Sequence, residues 1–197
     1  MRSDQLSYPP GKAYYKRKMR IIRFKNKSDE IQCGWIYQEK VGLIQGNPFG
    51  EFRRFDANLL LSDLELVLPC QPSKIVAIGR NYPEHVAEMN DDLPTYPLIF
   101  MKPPSALITN GEAILIPAQS KRVEHEAELA IVVGKKAKNL DQKNVSEAIY
   151  GYTIANDVTA RDLQELDGQW TRAKGFDTFC PLGPWIDTEF DPSDAMI

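Results

Sequence analysis

Residues 123 to 134 read Val-Glu-His-Glu-Ala-Glu-Leu-Ala-Ile-Val-Val-Gly, and no other segment restricts the fold so tightly. The run Leu129-Ala130-Ile131-Val132-Val133 is strongly strand-forming, because branched aliphatic side chains pack well on a pleated surface. Extending it backwards predicts one strand from Val123 to Gly134, whose period of two puts Glu124, Glu126 and Glu128 on a single face. Like charges side by side next to an apolar run repel, so a cation or a basic partner must compensate them. A solvent-exposed strand face, with Lys121, Arg122, Lys135 and Lys136 nearby in sequence, would also accommodate these acids. Asp157 favours the cation. It follows the strand-like run Tyr152 to Asn156 directly ahead of a helix-favouring segment, where a rigid scaffold can hold a functional group borne on a loop. Its alternative role is a helix cap or a turn. Three carboxylates without a nearby Cys select a hard, oxygen-preferring divalent ion, Mg²⁺ or Mn²⁺, over zinc.

The rest of the composition excludes several other classes. With 43% hydrophobic and 26% charged residues the 197-residue chain has the mix of an ordinary soluble globular protein. No apolar run approaches the roughly 18–20 residues of a membrane-spanning helix, so no membrane partner is expected. Cys33, Cys70 and Cys180 are odd in number, far apart and without C-x-x-C spacing, which fits a reducing, cytoplasmic setting rather than a disulfide framework or a thiolate zinc site. His85 and His125 are the only histidines. Residues 71 to 197 hold twelve basic and nineteen acidic side chains, a balance better suited to cations, or to anions bridged by a cation, than to bare nucleic acid. Lys12 to Lys27 carries eight basic residues and no acidic one, with Tyr14, Tyr15 and Phe24 among them. No nucleic-acid-binding motif accompanies this run, so it reads as a solvated terminus, and residues 1 to 18 as a flexible basic leader ahead of Met19.

Short strand-like runs dominate the remainder: Met19 to Lys25, Ile31 to Tyr37, Val41 to Gln45, Lys74 to Gly79, Pro97 to Lys102, Glu112 to Pro117 and Tyr152 to Val158. The fold class is therefore mainly β with a few short helices, an α+β arrangement. Asn110-Gly111 predicts a hairpin turn between Ala106 to Ile108 and Ala113 to Ile116. Three short helices are predicted: Pro83 to Met89, a segment from Asn144 to Gly151 with Glu147 completing a capping box, and Thr159 to Asp167 ahead of Gly168. Pro69 and Pro72 mark a boundary that separates a small β module, residues 19–72, from a catalytic part, residues 73–197.

Further polar groups are spaced for chemistry in that second part. His85 and Glu88 lie three apart on the predicted helix, where a carboxylate can orient an imidazole and raise its basicity. An ordinary surface pair has the same spacing. Arg161 and Gln164 repeat it, and Lys174 follows. Beside a metal such cations would bind a substrate carboxylate or a developing oxyanion; elsewhere they are ordinary surface charges.

Several blocks then occur in a fixed order: Ile78-Gly79-Arg80-Asn81-Tyr82 with His85-Val86-Ala87-Glu88-Met89, Phe100-Met101-Lys102-Pro103, His125-Glu126-Ala127-Glu128-Leu129-Ala130, Asn156-Asp157-Val158-Thr159-Ala160-Arg161-Asp162, and Trp170-Thr171-Arg172-Ala173-Lys174 with Cys180-Pro181-Leu182-Gly183-Pro184-Trp185. Together they resemble the fumarylacetoacetate hydrolase family from Lys74 to about Ile186. The resemblance implies a mixed β-sandwich roll, usually a homodimer, that binds Mg²⁺ or a similar ion and acts on small 2-oxo acids. It implies that Glu126, Glu128 and Asp157 hold the metal and that Glu124 flanks them. It further implies that His85 and Glu88 activate water, that Lys174 is catalytic, and that Arg161 and Gln164 contact substrate. Members of the family continue through further strands and a Thr-Gly-Thr-Pro segment. That segment is missing from this sequence, so the resemblance implies a fold incomplete at its C-terminus, with exposed edges.

The activity expected on these grounds is hydrolysis of a carbon–carbon bond in an acylpyruvate-like 2,4-dioxo acid, with the cation stabilising the enolate that leaves. A metal-dependent decarboxylase or enol–keto isomerase of 2-oxo diacids would use the same stabilisation without activated water. A non-catalytic fragment that keeps the motifs is the third expectation.

Overall fold

The computed structural model describes residues 19–83 and 92–195. The leader 1–18 and the predicted helix that would carry His85 and Glu88 fall outside the described residues.

The first four strands, β1 (Arg20–Lys25), β2 (Ile31–Tyr37), β3 (Lys40–Gly46) and β4 (Phe52–Leu60), form an antiparallel meander. Its first turn is shaped by Asn26, whose side-chain oxygen accepts the backbone N–H of Ser28 and of Glu30, both at 2.9 Å, while Asp29 supplies positive φ. Alternation along β1 sends Ile22 and Phe24 into a core with Val41, and Ile21 into a second cluster with Met19 and Ile44. β5 (Glu65–Val67) pairs with the far end of β1.

The other edge of β1 joins the meander to the second half of the chain. Arg20 and Ile21 pair with Asp187 and Ile186 of β13 (Cys180–Asp187). β13 pairs in turn with β11 (Ile149–Asn156), and β11 with β10 (Ala127–Val133). The sheet therefore runs β10-β11-β13-β1-β2-β3-β4, and β8 (Leu107–Ile108) lies parallel to β13.

Two small ribbons complete the frame. β6 (Ile75–Gly79) pairs with β7 (Leu98–Lys102), and β9 (Val123–Glu124) pairs with β12 (Thr159–Ala160). Helix α1 (Arg161–Asp167) starts where β12 ends and stops at Gly168, whose left-handed φ of 64° ends the helix at little steric cost. Helix α2 (Thr171–Lys174) follows at once. Beneath both helices Val158, Ala160, Leu163, Ala173 and Phe179 form a buried cluster.

Register in the β6–β7 ribbon divides its faces. Val76 opposite Met101 and Ile78 opposite Ile99 are exposed, whereas Ala77 opposite Phe100 and Gly79 opposite Leu98 turn the other way. On that second face Phe100 meets the Trp170 ring edge-on at 5.4 Å, and Gly79 leaves room for the same ring: a Cβ there would stand 2.3 Å from Trp170. The ribbon thus fixes the residue that leads into α2.

Three local expectations are corrected. The strand predicted from Val123 to Gly134 is broken at His125-Glu126 into β9 and β10, because Asn156 and Asp157 clamp the Glu126 backbone: its N–H donates to the Asn156 side chain at 3.0 Å and its carbonyl accepts from Asp157 at 2.9 Å. The segment from Asn144 makes only a 3-10 turn, Val145–Ala148, before β11 begins; Asn144 forms no side-chain cap, and the β-branched and aromatic run Ile149-Tyr150 continues into the sheet. Asn110-Gly111 makes a turn, with Gly111 at φ 89°, but no hairpin. Leu107 and Ile108 pair with β13, and Ala113 to Ile116 form no strand.

Gly79→Ala is expected to push Trp170 off its seat and to cost about 1–3 kcal/mol of stability, read as a lower urea midpoint with an unchanged slope; a midpoint equal to wild type would contradict this packing.

Candidate active site

Four short elements converge on a group of buried charges. Breaking the strand at Glu126 turns its carboxylate towards Asp157, which stands just past the end of β11. β12 then brings Thr159 opposite Glu124. α1 presents Arg161 from its first position, and α2 presents Lys174 from its last.

Lys174 lies at the centre. Its ammonium, 2% exposed, donates to Glu126 Oε2 at 2.8 Å, to Asp157 Oδ2 at 2.7 Å and to Thr159 Oγ1 at 2.8 Å. The Thr159 hydroxyl in turn donates a hydrogen bond to the Asp157 carbonyl at 2.9 Å. The other Asp157 oxygen, Oδ1, accepts from Lys102 Nζ at 2.6 Å, and Lys102 reaches the Val158 carbonyl at 3.3 Å. Burial lowers the Lys102 pKa, and the adjacent Asp157 works against that shift.

Arg161, also buried, forks between two glutamates. Nη2 lies 2.6 Å from Glu126 Oε1 and Nε lies 2.8 Å from Glu124 Oε2, while Nη1 donates to Gln164 Oε1 at 3.1 Å. The i,i+3 spacing of Arg161 and Gln164 is thus a direct contact. Hydrogen bonds from Arg161 and Arg122 hold the Glu124 carboxyl below its usual range.

Glu128 is set apart. Tyr82 is its neighbour, and the Tyr82 hydroxyl accepts the Leu129 N–H at 3.4 Å. Burial raises the Glu128 carboxyl to about 7; the Tyr82 hydrogen bond and Lys174 oppose the rise, and the charges of Asp157 and Glu126 add to it. Glu128 therefore senses both other carboxylates. Among the described residues no three His, Cys, Asp or Glu side chains stand close enough together to hold an ion as arranged. Glu126 and Asp157 instead close around Lys174, with Arg161 on the other Glu126 oxygen and Lys102 on the other Asp157 oxygen.

Of the residues singled out from the sequence, Glu126, Asp157, Lys174, Arg161 and Gln164 are brought into one network, with Glu128 beside it. His85 and Glu88 lie outside the described residues. Lys102 and Tyr82 were not singled out as site residues. The signal for Lys102 was present: it ends the apolar run Leu98-Ile99-Phe100-Met101 with the parity of Phe100, so a strand with its Phe100 face inward must bury a charge there.

The sequence family described as fumarylacetoacetate (FAA) hydrolase C-terminal matches residues 74–197, more than half of the chain. The chain belongs to this family. A second family, Rv2993c-like N-terminal, matches residues 19–69. Protein Rv2993c of Mycobacterium tuberculosis is 47% identical over 157 residues, 78% of this chain and 59% of that protein. The mitochondrial oxaloacetate tautomerase fahd2 of Xenopus laevis is 45% identical over 136 residues, 68% of this chain and 43% of that protein. The crystal structure of a 2-hydroxyhepta-2,4-diene-1,7-dioate isomerase from Mycobacterium marinum superposes with a TM-score of 0.79 at 39% identity, covering 89% of this chain and 68% of that one. The chain spans less than two thirds of the length of these curated relatives. The family fold agrees with the expected mainly β architecture, and among the described residues no helix is long and apolar enough to cross a membrane.

The raised Glu128 carboxyl sets a pH test. Between its ordinary 4.5 and about 7 the folded chain keeps a proton that the unfolded chain releases. The stabilising contribution is full below the ordinary value and is lost as pH rises through about 7. In EDTA, the stability of wild type relative to Glu128→Gln is expected to fall across this interval in denaturant titrations; a pH-independent difference would contradict the assignment.

Proposed function

We propose that this chain carries the cation-binding site of an enzyme that acts on small 2-oxo acids through their enolates. One observation carries the reading: a buried ammonium, Lys174 Nζ, already stands as a cation among the oxygens of Glu126, Asp157 and Thr159, with the Glu128 carboxyl adjacent. The donor set is entirely hard oxygen, which fits Mg²⁺ or Mn²⁺. Glu126, Glu128 and Asp157 would hold the ion, and when bound it supplies Lewis-acid stabilisation to the carboxylate and 2-oxo oxygens of the substrate.

The protein's own groups do the remaining work. Lys102 neutralises one Asp157 oxygen and fixes the direction of the other. Arg161 bridges Glu124 and Glu126 and so sets the rim of the site, and with Gln164 it holds the remote end of the substrate. Lys174 places positive charge where an enolate oxygen develops, in surroundings with little water to screen it. Phe100 and Trp170 wall the site on the side of the β6–β7 ribbon.

Two reactions share that enolate. The names of relatives, an oxaloacetate tautomerase and a heptadienedioate isomerase, support enol–keto isomerisation. The i,i+3 spacing of His85 and Glu88 supports the second reading, hydrolysis of an acylpyruvate-like 2,4-dioxo acid, in which His85 oriented by Glu88 deprotonates water.

A panel of 2-oxo and 2,4-dioxo acids with Mg²⁺ or Mn²⁺ tests the proposal, following enol absorbance and pyruvate release separately. Turnover that EDTA abolishes, and that Asp157→Asn lowers by about a hundredfold or more, is expected. His85→Ala should spare isomerisation and abolish cleavage. Turnover of these acids that is indifferent to EDTA and to Asp157→Asn would overturn the reading.

A further inference from the structure

The charges around Lys174 leave a divalent cation little to neutralise. Four carboxylates, Glu124, Glu126, Glu128 and Asp157, lie among four cations, the exposed Arg122 and three buried ones, Lys102, Arg161 and Lys174. Both oxygens of Glu126 and both of Asp157 already accept from one of them. Adding two positive charges to a balanced, poorly solvated cluster is costly unless one resident cation withdraws.

The three are not equally free to move. Lys102 is fixed by Asp157 and by the Val158 carbonyl, and Arg161 by two glutamates and Gln164. Lys174 instead donates to two of the ion-binding carboxylates, Glu126 and Asp157, and otherwise only to the Thr159 hydroxyl, and it has a flexible four-carbon stem. It also has somewhere to rest: its ammonium is 5.1 Å from the Phe100 ring centroid and 5.8 Å from that of Trp170, aromatic faces that attract a cation released from carboxylates.

We propose that Lys174 is a tethered competitor for the ion-binding carboxylates: a divalent cation displaces its ammonium from Glu126 and Asp157, and only then is that charge free to meet an anionic substrate. The inference rests on the reading above that an ion binds these carboxylates. It adds an order of binding, ion before anion, and an internal cost on ion affinity. The ion-free site holds its shape because Lys174 stands in for the ion, and the ion-loaded site gains an anion-binding group.

Two measurements on the whole chain test this without turnover. Calorimetric titration with Mg²⁺ should show Lys174→Met binding the ion more tightly than wild type by about tenfold or more, because the competitor is gone. In wild type, reductive methylation followed by peptide mass spectrometry should modify Lys174 faster in saturating Mg²⁺ than in EDTA. A folded Lys174→Met protein with equal or weaker Mg²⁺ affinity overturns the inference. If the variant does not fold, methylation decides, and a rate that is unchanged or slower with Mg²⁺ overturns it equally. Wild type that takes up no Mg²⁺ overturns the underlying reading itself, which separates the two failures.

Discussion

The structure depends on the pairing of two carboxylates, the buried Asp157 and the half-buried Glu126, with the ammonium of Lys174. A carboxylate removed from water without a partner is unfavourable by several kcal/mol, so these acids can occupy the floor of the site only while a cation is present. The same requirement explains the local architecture. β10 cannot continue back through Glu126, because the Asn156 and Asp157 clamps take over its backbone hydrogen bonds. The two-residue ribbon β9–β12 exists to bring Thr159 and Arg161 alongside. α2 is a single turn that lifts one lysine into place.

Packing supports that electrostatic centre from two sides. Below it, Val158, Ala160, Leu163, Ala173 and Phe179 form a close-packed base under α1 and α2. To one side, the bare Gly79 backbone admits Trp170, which lies immediately ahead of α2. Further away, pairing of β1 with β13 makes the N-terminal meander part of the sheet that carries β11, so Asp157 sits at the end of a strand anchored across the molecule.

Much of this was legible in the sequence, for physical reasons that differ by residue. The Glu-x-Glu pattern beside Leu129 to Val133 demanded positive charge, and the structure supplies Lys174 and Arg161. Arg161 and Gln164 touch as their spacing predicts. What was not legible depended on contacts between distant segments. Strand periodicity gave no hint that Asn156 would interrupt the chain at His125-Glu126, since that break is made by a partner thirty residues away. The helix predicted after Asn144 lost to pairing of Ile149 to Asn156 with β10 and β13. Lys102 went unmarked although the parity it shares with Phe100 at the end of an apolar strand signalled a buried charge; only its partner, Asp157, depended on a distant segment.

Crystals grown with Mn²⁺ and measured at its absorption edge show whether Glu126, Glu128 and Asp157 share one divalent cation. An anomalous peak bonded to oxygens of all three side chains is expected, with the Lys174 ammonium moved off Glu126 and Asp157. A peak bound elsewhere, or fully ordered carboxylates still closed around Lys174 at saturating Mn²⁺, would contradict this.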